Sequence, residues 1–139
     1  MSFALDPKIV SDTIEIGDLA LSRLLLMDDS RFLWLMLVPR RANLAEFIDL
    51  DAEHRAILME EIAAVSHAIV GMPGVDKINV GALGNLVRQL HIHVVGRSFK
   101  DSAWPGPVWG SGPAQRYESR RARELTLHFQ KRLLPGAAN

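Results

Sequence analysis

The chain has 139 residues, 48% of them hydrophobic, which is enough for one domain with a real core and leaves little room for a second. It has no cysteine, so disulfides and thiolate metal sites are excluded. Its sixteen basic and sixteen acidic side chains cancel, which argues against a protein built to coat nucleic acid. The balance conceals an asymmetry: residues 1–61 carry twelve acids and six bases, and residues 62–139 carry four acids and ten bases. A basic second half favours anionic ligands such as phosphates, although solvated helix faces give the same bias. No early run joins basic residues to a long apolar core, so no signal peptide is expected. No apolar stretch approaches the roughly 20 residues that a membrane helix needs. The expectation is a cytoplasmic protein without a membrane partner.

In chain order, the first expected element is a short helix capped by Asp6, with Pro7 at its first position. Leu19 to Met27 and Phe32 to Val38 are apolar runs separated by a polar turn around Asp28-Asp29-Ser30, which reads as a β-hairpin. The second run lacks alternation and is expected to be buried on both faces. Asp51 to Val70 reads as a helix, with Leu58, Ile62, Val65 and Ile69 in one stripe. Asp51 suits its N-cap, and Gly71 with Pro73-Gly74 ends it. A short strand over Lys77 to Val80, a loop over Gly81 to Arg88 and an alternating strand over Leu90 to Val95 follow. Ser98 to Pro113 is a long loop holding Trp104 and Trp109, and Gln115 to Leu134 reads as the last helix. The order implies an α+β fold with an antiparallel sheet, a central helix and a C-terminal helix, as a single domain over 1–139.

The informative segment is Gln89-Leu90-His91-Ile92-His93-Val94-Val95. Strand alternation puts Leu90, Ile92 and Val94 on a core face, and Gln89, His91, His93 and Val95 on the other. The two imidazoles then stand about 7 Å apart along the strand. A half-exposed strand tolerating polar side chains explains this, and so does a pair of metal ligands. Nucleophilic catalysis explains it too, with one neutral imidazole attacking phosphorus and its neighbour supporting the anionic phosphate. Pattern alone does not choose among the three. His54, His67 and His128 fall on expected helices with no spacing that aims them here.

This segment resembles the signature of the histidine-triad (HIT) family, His-φ-His-φ-His-φ-φ with φ hydrophobic, except that Gln89 replaces the first histidine. The resemblance extends to Leu35-Met36-Leu37-Val38-Pro39-Arg40-Arg41, to Asn79 and to the loop through Gly84. Trp104-Pro105-Gly106-Pro107-Val108-Trp109-Gly110 is similar to a bacterial branch with a Gln-x-His-x-His motif. Together these signals cover roughly residues 17–112.

The resemblance implies an α+β fold, usually a homodimer, that binds nucleotides and cleaves at the α-phosphorus. It makes His91 the nucleophile that forms a nucleotidyl-histidine, which water then hydrolyses. An ordinary imidazole is largely uncharged at pH 7, and its second nitrogen needs an acceptor to fix tautomer and direction. The implied acceptor is the backbone carbonyl of Gln89, which survives the loss of a histidine side chain. His93 is placed to hydrogen-bond phosphate oxygens or the leaving group. Asp28 and Asn79 are the expected ribose or phosphate contacts. Gly84 and Asn85 are expected at the phosphate, with the N–H groups of Gly84 to Val87 compensating for Leu86, where other branches carry a hydroxyl.

Gln89 itself cannot carry a proton. Trp34 stands where several members place a further histidine, and the two are expected to form a paired substitution. Trp104 and Trp109 cover the site, reach across a dimer to the partner's site, or pin their loop to the core. Arg40, Arg41 and Arg97 are expected at the surface. The leading expectation is hydrolysis of a dinucleoside polyphosphate such as diadenosine tetraphosphate. A nucleoside phosphoramidase using the same His91, a nucleotide-binding protein with little turnover and a metal-binding module are the alternatives. The scheme requires no metal or cofactor, although a divalent metal could accompany the substrate.

Overall fold

A computed structural model describes residues 2–136. Five antiparallel strands form one sheet in the order β1-β2-β3-β5-β4: β1 Thr13–Asp18, β2 Ser22–Met27, β3 Leu33–Pro39, β4 Lys77–Gly81 and β5 Ile92–Arg97. Helices α1 (Pro7–Asp12), α2 (Ala52–Val70) and α3 (Ser119–Leu133) complete an α+β fold. Among the described residues no helix is long and apolar enough to cross a membrane.

The missing alternation in β3 has a direct cause. Leu35 and Leu37 join Leu24, Leu26, Ile92 and Val94 under α2 and α3, where Leu58, Val65, Ile69 and Phe129 close the main core. Met36 and Val38 face the other way and pack with Leu25 against Ile9 of α1. Trp34 shares that second face with Phe32, Val95 and Val108. The sheet centre is therefore covered on both sides, and apolar residues suit every position. Leu90, Ile92 and Val94 all enter the main core, as their alternation implies. That leaves His91, His93 and Val95 on the second face.

Several boundaries differ from those read in the sequence. Strand β1 is not marked by it at all. Ile14 and Ile16 alternate there, but six residues with a register shift between Glu15 and Gly17 carry too short a pattern. Leu19 to Leu21 form the β1–β2 connection rather than a strand start, closed by Leu19 N–H donating to Ser22 O and by the Glu61 carboxylate accepting from Leu21 and Ser22 N–H. Strand β5 begins at Ile92, two residues after the expected start. The last helix begins at Ser119, not Gln115. Residues before it are captured by the hairpin turn: Asp29 accepts from Gln115 N–H, Asp28 accepts from Tyr117 N–H, and Gln115 O accepts from Ser30. Helix α2 starts as expected, with the Asp51 carboxylate accepting from His54 N–H at 2.8 Å.

Arg97 corrects an expectation. It is 1% exposed, not at the surface. Its guanidinium makes two hydrogen bonds to Asp101, at 2.8 and 3.0 Å, donates to Asn79 Oδ1 at 2.9 Å, and lies over the Phe32 and Trp104 rings. Its hydrogen bonds hold the Asp101 carboxyl below the usual carboxylate range.

Candidate active site

The second face of the sheet opens into a cavity of about 590 Å³. Its floor is Trp34, Met36, His91 and His93, and one wall is the loop through Leu83 to Val87. Lys8, Ile9 and Asp12 of α1 form another wall, and Val108 with Trp109 a third. The turn residues Asp28, Asp29 and Arg31 also line it, with Arg116.

His91 and His93 are 8% and 5% exposed, with ring centroids 4.9 Å apart. His91 Nδ1 lies 2.6 Å from the backbone oxygen of Gln89. A carbonyl oxygen only accepts, so Nδ1 carries the hydrogen, and in the uncharged ring Nε2 holds the lone pair. The Gln89 carbonyl thus lies where the sequence placed it, against His91 Nδ1.

His93 has a different partner. Trp34 Nε1–H donates to its Nδ1 at 2.9 Å, and Trp109 packs edge-on against both rings. Burial, reinforced by the positive charge His91 can take, lowers the His93 pKa to about 3. Glycine at position 81 lets Trp109 approach, since a Cβ there would lie 3.0 Å from the indole ring.

The expected contact residues divide. Gly84 and Asn85 line the cavity, with Gly84 in the left-handed region at φ 68°. Among the described residues no hydrogen bond uses the N–H groups of Gly84 to Val87. Leu86 is 96% exposed at the same rim. Asp28 also lines the cavity, but its two oxygens already accept from Arg116 and Tyr117 N–H, each at 2.9 Å. Asn79 does not line it; its Oδ1 is engaged by Arg97.

The Gln89 side chain turns away from Trp34. Its Oε1 accepts from Asp6 N–H and its Nε2 donates to Ala4 O, each at 2.8 Å. The expected Gln89–Trp34 pair is therefore corrected: each residue bonds elsewhere, Gln89 to the N-terminal segment and Trp34 to His93. Trp109 both lines the cavity and anchors its loop. Trp104 packs on Phe99 and Arg97, away from the cavity. No third histidine, aspartate or glutamate among the described residues joins these two histidines in a set able to hold a metal.

Two roles escaped the sequence. The Trp34 indole as a hydrogen-bond donor to His93 was concealed because a tryptophan in an apolar strand reads as core. Helix α1 as a wall of the cavity needs the Gln89 contact, 83 residues away in sequence.

The family model described as HIT domain matches residues 8–100. The chain belongs to the histidine-triad (HIT) family. Solved HIT structures agree over nearly the whole chain. A histidine triad protein from Bradyrhizobium japonicum is 41% identical with a TM-score of 0.93, covering 96% of this chain and 99% of its own. One from Sinorhizobium meliloti is 42% identical with a TM-score of 0.91, covering 94% and 97%. One from Marinobacter aquaeolei is 38% identical with a TM-score of 0.92, covering 96% and 97%. Among curated proteins none matches. HIT membership supports nucleotide binding with hydrolase or transferase chemistry in general. Family and fold thus agree with the resemblance carried by the histidine strand.

Proposed function

We propose that this HIT protein hydrolyses a dinucleoside polyphosphate, such as diadenosine tetraphosphate, by covalent catalysis at the α-phosphorus. The observation that carries the reading is the 2.6 Å contact between His91 Nδ1 and Gln89 O, which leaves Nε2 as the free nucleophile on a cavity floor. In the first step the Nε2 lone pair bonds to phosphorus, and the bridging P–O bond breaks with its electrons on the departing nucleotide. Water then attacks phosphorus and releases a proton to solvent, the electrons of the P–N bond return to Nε2, and a mononucleotide leaves. The unbonded N–H groups of Gly84 to Val87, with Asn85, are suited to the non-bridging oxygens. Asp28 is proposed at the ribose, where Arg116 shares its carboxylate. Asn79 is proposed to hold Arg97 rather than to touch the substrate.

Hydrolysis of diadenosine tetraphosphate in ¹⁸O-labelled water tests this. The label is expected in the mononucleotide, and His91→Ala should lower kcat by about a thousandfold or more with nucleotide affinity nearly unchanged. A His91→Ala protein that keeps its rate contradicts the reading.

A homodimer is proposed as well. Edge strand β4 carries exposed Val80, and exposed Leu83 and Leu86 follow it, an arrangement suited to pairing with a second copy. Sedimentation at micromolar concentration should report two chains; a monomer would overturn it.

A further inference from the structure

The hydrogen bond between Trp34 and His93 restricts what His93 can do for a leaving group. An indole N–H is a donor only, so the Nδ1 it meets at 2.9 Å must keep its lone pair. The uncharged His93 ring therefore carries its hydrogen on Nε2. Adding a second proton at Nδ1 would set one N–H against another, leaving two buried donors without acceptors. Trp34 and His93 are 7% and 5% exposed, so water cannot readily relieve that conflict.

The surroundings offer no counter-charge. Met36 of β3 and Gly81 of β4 flank His93 in the sheet, and Trp109 and His91 pack against its ring. His91 is the only titratable group among these neighbours. Asp12, Asp28 and Asp29 line the same cavity, but their carboxylates are bonded to Lys8, Arg116 and Arg31. The lowered pKa of His93 has the same direction as this geometry.

We propose that Trp34 makes the site selective for phosphoanhydrides over phosphoramidates, by holding His93 as an uncharged Nε2–H donor that cannot deliver a proton. The inference rests on His91 as nucleophile and names the leaving group that nucleophile can expel. When an anhydride is attacked, the electrons of the breaking P–O bond come to rest on a terminal phosphate oxygen. That anion is stable without a proton, and a hydrogen bond from Nε2–H is sufficient help. When a phosphoramidate is attacked, the electrons of the breaking P–N bond fall on nitrogen, which must take up a proton to leave as an amine. Uncharged His93 could give that proton only by becoming an imidazolate. Solvent must supply it instead, and the step is slow. Trp34 is a positioning residue here, acting through His93.

The test compares diadenosine tetraphosphate with adenosine 5′-phosphoramidate on the full chain, alongside nitrogen NMR of the His93 ring. The wild type is expected to favour the anhydride by about 100-fold in kcat/KM, the low end of what general-acid help supplies. Trp34→Phe removes the indole donor. It should narrow that preference about tenfold, through kcat on the phosphoramidate, with a new rise in that rate toward acidic pH. In the wild type, His93 should keep an unprotonated Nδ1 from pH 7 down to pH 5, a readout that does not depend on the variant folding. Equal kcat/KM for the two substrates in the wild type, or a protonated Nδ1 in that range, overturns the proposal. Failure of the His91 reading has a separate signature, since neither substrate would then label His91.

Discussion

Two imidazoles 4.9 Å apart receive opposite instructions from their hydrogen bonds. A carbonyl acceptor at His91 Nδ1 leaves a lone pair at Nε2, whereas an indole donor at His93 Nδ1 leaves a hydrogen at Nε2. One ring presents a lone pair and the other a donor. The difference follows from two neighbours, not from the motif. It also has a consequence for stability. In the unfolded chain His93 protonates near its ordinary value of 6.5, whereas in the fold burial, aided by His91, lowers its pKa to about 3. Below pH 6.5 the unfolded state therefore binds more protons, so His93 contributes stability that is full above pH 6.5 and lost as the pH falls toward 3. The slope for one proton is about 1.4 kcal/mol per pH unit. Urea unfolding between pH 7 and pH 4 should show this loss, and His93→Gln should flatten it. An identical pH dependence in wild type and variant would contradict the neutral, buried His93.

At the scale of elements, the site depends on how α1 is held. Helix α1 has only six residues and would not persist alone. Asp6 caps it by accepting from Lys8 N–H, Ile9 packs beneath the sheet, and the Gln89 amide grips the backbone at Ala4 and Asp6. Gln89→Ala removes both of those bonds, each worth about 1 kcal/mol. The expected outcome is faster hydrogen exchange at the Asp6 amide and a raised KM with kcat little changed. If kcat falls instead and exchange at Asp6 is unaltered, the tether is not what Gln89 provides. Elements with a long apolar period were legible in sequence: the hairpin, α2 with its Asp51 cap, and the core face of β5. Those decided by distant partners were not. The segment 115–118 has helical composition, but Asp28 and Asp29 take its N–H groups, and Arg97 is buried because Asp101 and Asn79 wait inside. Steering of His91 was legible because it is a local contact two residues long. The Trp34–His93 bond spans 59 residues and could not be read from the chain.

Over the whole molecule, the charge asymmetry has an ordinary cause. Arg120, Arg121, Arg123, Lys131 and Arg132 lie on the exposed surface of α3, and none lines the cavity. Of the basic residues after position 61, only Arg116 lines it, and it is paired with Asp28. The basic half therefore does not supply the cavity with a positive field. The sheet serves this arrangement by its two covered faces. α2 and α3 close one face with apolar side chains, which frees the other to carry histidines, indoles and a 590 Å³ opening. The most direct measurement is a millisecond mixing of protein with diadenosine tetraphosphate, stopped in alkali and digested for peptide mass spectrometry. A nucleotidyl group on His91, forming and decaying fast enough to lie on the path to product, is the result expected. Full turnover with no adduct on His91, or with the adduct on another residue, would contradict the account.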